Sequence, residues 1–161
     1  QGLAQGAQPI ISYNYGAGNG NRVRAAFRCL IVPTVGITLV IYGVFMLAPQ
    51  WVILPFTADP ALTELTAWGI RIYFSAGILI GIQMACLQTL MALGKAGASV
   101  FLSLLRKVFL LIPLIYLFPH LLQEKVFAVL LAEPVADVIS VSVTMVLFAV
   151  QLRKTLAAVD R

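Results

Sequence analysis

A run of thirty residues, from Cys29 to Ala58, contains no charged side chain. Crossing the roughly 30 Å hydrocarbon core of a bilayer takes about 20 helical residues, so this run is long enough to span it. Composition extends the argument to the whole chain, because hydrophobic residues make up 61% of it and charged residues only 11%. A soluble domain carries about 25% charged residues. The chain is therefore predicted to be an all-α, polytopic transmembrane bundle, and not a soluble, disordered or disulfide-stabilised domain.

Apolar segments alternate with short polar connectors along the sequence. A partial helix at about 1–13 is followed by four predicted full spans, at about 24–54, 65–93, 98–118 and 126–152. Thr63 is the expected N-terminal cap of the 65–93 span. Because residue 1 is Gln and the first segment is too short to cross a bilayer, we expect residues 1–161 to be a C-terminal fragment of a larger protein.

The net charge of +5 is interpreted as orientation in a membrane rather than as a nucleic-acid site. The two connectors on one side of the predicted spans carry a single basic residue, Lys125, whereas the segments on the other side carry seven. By the positive-inside rule, the 13–28 and 94–98 connectors and the C-terminus face the cytoplasm of a multi-pass protein in the cell membrane. The seven basic residues are Arg22, Arg24, Arg28, Lys95, Arg153, Lys154 and Arg161.

Charged residues inside predicted spans are the first candidates for function, because each costs about 2.5–3.5 kcal/mol at the centre of a membrane helix. Asp137 lies about 17 Å below the outer end of its helix, near the midplane. Glu133 lies one turn outward on the same face, and Pro134 between them frees a backbone carbonyl. This arrangement could form a proton or cation site. The alternative is that basic residues on neighbouring helices neutralise both carboxylates.

Matching the residues by depth predicts two ion pairs between helices. Asp137 is expected to pair with Arg106 or Lys107, and Glu133 with Arg71. Two further interpretations stay open. A water-filled cavity could solvate these groups, and Lys107 and Arg71 could extend their charged ends to the membrane surface.

Uncharged polar residues in the spans either bond across helices or face a polar cavity that holds substrate. The candidates for such a cavity are Gln5, Gln8, Asn14, Gln83 and Gln88.

Cys29 and Cys86 are expected to be small buried hydrophobic residues, and one histidine is too few for a His-based metal site. No nucleophile, zinc-protease or phosphate-loop motif is present, so an enzyme is not expected.

The segment QPIISYNYGAGNGNRVRAAFR, at 8–28, resembles the multidrug and toxic compound extrusion (MATE) transporters. In that family a Gln-Pro pair ends a helix and is followed by a Tyr-Asn-x-Gly-Ala segment and a basic loop. Further matches are LQTLMALGKAG at 87–97, the spacing from Arg106 to Pro113, and EPVADVIS at 133–140. The resemblance covers nearly the whole chain and would make its helices the eighth to twelfth of twelve.

The resemblance implies a secondary antiporter that exports cationic amphipathic compounds in exchange for protons or sodium, with no other cofactor. Its partners would be the missing N-terminal lobe, the lipid bilayer and a cationic small molecule. One branch of the family places a cation-binding Asp in the helix matching 65–93, but that segment here has no Asp or Glu, so coupling acids are expected in the missing half. The alternatives are a lipid-linked oligosaccharide flippase of the same superfamily or a membrane assembly subunit that does not transport.

Overall fold

The computed structural model describes residues 1–57 and 59–159, apart from the side chains of 158 and 159. Arg161, one of the basic residues used to predict orientation, lies outside this part of the chain. Within the described residues the chain consists of helices joined by short connectors and contains no strand. The elements are α1 (Gly2–Gly16), α2 (Gly20–Leu47), α3 (Pro49–Ile53), α4 (Pro60–Tyr73), α5 (Ile78–Ala92), α6 (Ala96–Leu104), a π-helical segment (Leu105–Leu111), α7 (Ile112–Leu121) and α8 (Lys125–Val159).

Three helices are long and apolar enough to cross a membrane: Gly20–Leu47, Ala96–Leu121, which includes the π-helical segment, and Lys125–Ala157. A fourth span is obtained if α4 and α5, which meet at an angle of 47°, are counted as one broken helix. The predicted all-α, polytopic bundle is confirmed. These four spans follow the short helix α1, as the sequence indicated.

The start of α4 follows ordinary capping chemistry and corrects the sequence-based expectation. Asp59, and not Thr63, is the N-cap of α4, and its carboxylate accepts a hydrogen bond of 3.0 Å from the backbone N–H of Ala61. Pro60 occupies the first helical turn, where a missing N–H costs nothing. The Thr63 hydroxyl instead donates to the carbonyl of Asp59, at 2.8 Å. The helix therefore starts five residues earlier than position 65.

Two predicted spans are interrupted in the structure. The 24–54 segment contains the end of α2 at Leu47 and then the short helix α3, which begins at Pro49 because proline favours a new helix start. The 65–93 segment is broken between Tyr73 and Ile78, where turns replace the helix and the direction changes by 47°. Both predictions had treated apolar character as evidence for an unbroken helix.

Helix α5 lies at the centre of the bundle and packs against α1, α2 and α8. At its crossing with α2 the two backbones approach closely. A Cβ at Gly81 would overlap the Thr38 hydroxyl and lie 3.3 Å from the carbonyl of Thr34. The absence of a side chain at Gly81 thus allows the two helices to approach closely.

The two cysteines differ in environment. Cys86 is buried in a cluster with Leu90, Leu102 and Phe148, as expected. Cys29 is exposed on α2, so its predicted burial is wrong for this chain. Hydropathy located it in a span but could not say which face of the helix it occupies.

Candidate functional site

The π-helical segment sets the positions of two adjacent basic side chains, Arg106 and Lys107. In an α-helix neighbouring residues point about 100° apart. Hydrogen bonds from residue i to i+5 widen the turn and bring successive side chains closer in direction. The π-helical segment packs against α8, and both basic groups reach carboxylates of that helix.

Four charged residues form one cluster between the π-helical segment and α8. The Nε–H of Arg106 donates to Asp137 Oδ1 at 2.5 Å, and its Nη2 donates to Glu133 Oε1 at 3.1 Å. Lys107 Nζ lies 3.2 Å from the same Glu133 oxygen. Depth matching predicted Arg106 or Lys107 as the partner of Asp137, and the structure shows Arg106 in that position. We call these four residues the charge cluster.

The charge cluster is buried at one end and open at the other. The side chain of Asp137 is 3% exposed and that of Arg106 is 12% exposed, whereas Lys107 is 56% exposed. Two cations and two carboxylates leave no net charge, which lowers the cost of placing them within a membrane bundle. Arg106 can bind both carboxylates at once because its guanidinium carries hydrogen-bond donors in several directions.

The predicted pair between Glu133 and Arg71 is wrong. Glu133 is held by Arg106 and Lys107, and Arg71 is exposed beside Glu64, Thr63 and Trp68 in a cleft of about 500 Å³. The phenol of Tyr73 is the group of α4 that faces Glu133. Side chains two positions apart on an α-helix point in directions about 200° apart, so Tyr73 and Arg71 occupy opposite faces.

A second polar contact continues along α8 from the charge cluster. The side-chain amide of Gln83, on α5, donates from Nε2 to the Ser140 hydroxyl at 2.8 Å, and both residues are buried. Thr144 is also buried, one turn further on. Sequence reasoning named Gln83 but missed Ser140 and Thr144. Their positions three and seven residues after Asp137 were the available signal, because this spacing puts all three on one helix face.

The remaining cavity candidates do not join this site. Gln5 is exposed and Gln8 half-buried on α1. Asn14 donates from its amide to the carbonyl of Ile10 in the same helix, at 2.8 Å. Gln88 is half-buried on α5, and its Oε1 atom has no hydrogen-bond partner among the described residues. In the same part of the chain, no group of three or more His, Cys, Asp or Glu residues is placed to hold a metal ion.

Comparison with known proteins gives a consistent result. A family model described as MatE matches residues 1–117. The multidrug export protein MepA of Staphylococcus aureus (strain MRSA252) is 26% identical over 136 residues, which cover 82% of this chain and 29% of MepA. The protein of the same name from Staphylococcus haemolyticus (strain JCSC1435) is 24% identical over 136 residues, covering 83% of this chain and 30% of that protein.

Two solved structures are also similar. The MATE multidrug transporter DinF-BH, solved in complex with R6G, is 34% identical with a TM-score of 0.83, over 91% of this chain and 32% of that one. An inward-facing multidrug resistance MATE family transporter of the MOP superfamily gives a TM-score of 0.85 at 16% identity, over 94% of this chain and 35% of that one. At that identity the second match shows the shared fold alone.

The chain thus spans about a third of the length of the relatives it matches. Members of the matching family are integral membrane transporters and not enzymes. The family model covers well over half of the chain, and the arrangement of helices agrees with solved members. This chain belongs to the MATE family of multidrug efflux transporters.

Proposed function

We propose that this chain forms part of a secondary antiporter that exports cationic amphipathic compounds in exchange for protons or sodium. The observation that carries the proposal is the match to the MatE family over residues 1–117, together with relatives named as multidrug export proteins. The rest of the complete protein, an N-terminal lobe, would supply the other wall of the cavity. The coupling ion would be the only inorganic component required.

The charge cluster favours an accessory role for this chain in coupling transport to an ion gradient. Ionisable residues inside a membrane bundle mark ion or proton pathways unless they are paired. Here Asp137 and Glu133 are both paired, since Arg106 contacts each of them. We therefore assign the main coupling acids to the rest of the complete protein, and we assign Asp137 an accessory role in holding the bundle.

The charges argue against the flippase alternative. A flippase for lipid-linked oligosaccharides needs unpaired cations in its cavity to bind phosphates. Arg106 and Lys107 both contact Glu133, and Arg106 contacts Asp137 as well. Arg71, the third intramembrane cation, lies exposed near Glu64 at the α4 end of the bundle. The part of the chain that the structure describes therefore offers no buried excess of positive charge.

Dye efflux by the complete protein tests the proposal. Cells lacking their own efflux pumps would express it, be loaded with a fluorescent organic cation, and be followed while the proton gradient and then the sodium gradient are collapsed separately. We expect efflux that stops when one of the two gradients is lost, which also identifies the ion. Efflux that survives the loss of both gradients would contradict antiport. Absence of efflux, with the protein shown to be in the membrane, would favour a flippase or a subunit that does not transport.

A further inference from the structure

The interface between α5 and α8 contains two buried oxygen atoms without a hydrogen-bond partner among the described residues. They are Oε1 of Gln83 and Oγ1 of Thr144. Gln83 is 1% exposed and Thr144 is fully buried. The Nε2 atom of Gln83 is already used by Ser140, one turn from Thr144 on α8. An unpaired buried polar group costs about 1–3 kcal/mol, so two on the same interface require an explanation.

The Thr144 hydroxyl lacks a hydrogen bond that several other hydroxyl residues in these helices make. Buried or membrane-facing Ser and Thr hydroxyls commonly donate to the carbonyl four residues earlier in the same helix. That bond is made at 2.7–3.0 Å by Thr34, Thr38, Thr89, Ser103 and Ser142. Thr144 does not make it. Its hydroxyl is therefore available to a partner outside its own helix.

We propose that a buried water molecule binds between α5 and α8, held by Gln83 Oε1 and the hydroxyl of Thr144. Buried waters typically make two to four hydrogen bonds to groups that would otherwise be unsatisfied. A water can donate to the Gln83 carbonyl oxygen and can either donate to or accept from Thr144. Ser140 is a third partner, since its oxygen accepts from Gln83 and its proton remains available.

The chemistry of the site favours water over a monovalent cation. Gln83, Ser140 and Thr144 are all neutral. Asp137, the nearest carboxylate along α8, is held by the guanidinium of Arg106. A cation would lose its hydration without gaining an unpaired anion, which is costly in a buried site. The water would extend the polar face of α8 from the charge cluster to Thr144.

Thermal unfolding of the complete protein in detergent separates a hydrated interface from a dry one. Thr144→Val keeps the side-chain shape and removes the hydroxyl. If water is bound, we expect the Tm to fall by about 2–4 °C or more, because the water loses a partner. If the interface is dry, the substitution removes an unpaired group, and the Tm stays constant or rises, which overturns the proposal. Thr89→Val is the matched control, since that equally buried hydroxyl bonds only within its own helix.

Gln83→Met supplies a second and independent variant. Because both substitutions disrupt the same water, the double variant Gln83→Met/Thr144→Val should lose little more than the more damaging single variant. Fully additive losses would contradict a shared water. If Thr144→Val or Gln83→Met fails to fold, a high-resolution density map of the unaltered complete protein shows whether the water is present. Density about 2.7–3.2 Å from both oxygens supports the proposal. Absence of density, in a map that shows other buried waters, overturns it.

Salt exchange tests the rival occupant. The same unfolding measurement would be repeated in sodium chloride and in choline chloride at equal concentration. A Tm that is the same in both salts agrees with water. A sodium-dependent rise that disappears in Thr144→Val would show a cation site and overturn the assignment.

Discussion

Arg106 is the residue on which the buried charges depend. Its guanidinium contacts both Asp137 and Glu133, whereas Lys107 contacts Glu133 alone and is mostly exposed. Removing one member of a buried pair leaves an uncompensated charge, while replacing the whole pair by apolar residues is often neutral or stabilising. The arrangement therefore predicts opposite outcomes for single and double substitutions.

Asp137→Leu alone is expected to destabilise the complete protein by about 3–5 kcal/mol, since it leaves Arg106 with one carboxylate in a buried site. Combining it with Arg106→Met should recover most of that loss. The measurement is the Tm and the yield of folded protein in detergent for both single variants and the double variant.

The same double variant distinguishes a structural role of Asp137 from a role in coupling transport to an ion gradient. If Asp137 has only an accessory structural role, the folded double variant should keep gradient-dependent dye efflux. A double variant that folds normally but loses efflux would contradict that role and make Asp137 a coupling acid. Single variants that unfold no more readily than the unaltered protein would show that the pair itself contributes nothing.

Lys107→Ala is expected to have a small effect, about 0–1 kcal/mol, because the lysine side chain is 56% exposed and exposed ion pairs contribute little. Comparison with Arg106→Ala under identical conditions checks this. Equal losses in the two variants would mean that Lys107 is buried in the complete protein by elements beyond this chain.

Depth along a helix narrowed the partner of Asp137 to Arg106 or Lys107, but it gave the wrong partner for Glu133. Depth gives one coordinate, whereas pairing also requires the direction in which each side chain points. Arg71 has a suitable depth but lies on the opposite face of α4 from Tyr73. The spacing of Ser140 and Thr144 after Asp137 indicates that their side chains point to the same face of the helix. Both residues are uncharged, so a search for charged residues in the spans does not find them.

At the scale of elements, the close crossing of α2 and α5 determines how the central helix packs. Gly81→Ala should destabilise the protein by about 1–3 kcal/mol, because the new Cβ would meet Thr38 and the Thr34 carbonyl. Gly36→Ala on α2 is the control, since a Cβ there meets no atom within 4 Å. Alanine is the better helix former by about 0.5–1 kcal/mol, so the control should be neutral or stabilising. Comparable loss in both variants, measured by thermal unfolding, would contradict close packing at Gly81.

Hydropathy predicted that the four spans exist but not how they are interrupted. The break after Tyr73 and the π-helical segment from Leu105 to Leu111 both occur inside strongly apolar sequence. Apolar residues are compatible with straight, broken or widened helices in a bilayer, provided that neighbours satisfy the backbone. The interruptions depend on tertiary packing, such as the contacts of the π-helical segment with α8, and composition does not record that packing.

At the scale of the whole molecule, the distribution of basic residues and the number of spans lead to a single orientation. With four spans counted after α1, the connectors fall on alternate sides of the membrane. Arg22 and Arg24 lie in the first turns of the first span, Lys95 follows the second, and Arg153 and Lys154 lie near the end of the last. Under that count all of these residues lie on one side, and the positive-inside rule predicts that this side is cytoplasmic.

Labelling of single cysteines in the complete protein measures this orientation. Lys95→Cys and Glu124→Cys lie on successive connectors, at the start of α6 and just before α8. In a background carrying Cys29→Ser, which removes the exposed native thiol, a membrane-impermeant maleimide should label Glu124→Cys from outside intact cells and Lys95→Cys only in inside-out vesicles. Labelling after solubilisation in detergent controls for the reactivity of each thiol. The reverse pattern would place the C-terminus outside the cell. Labelling of both positions from one side would mean that α6 and α7 together do not cross the membrane.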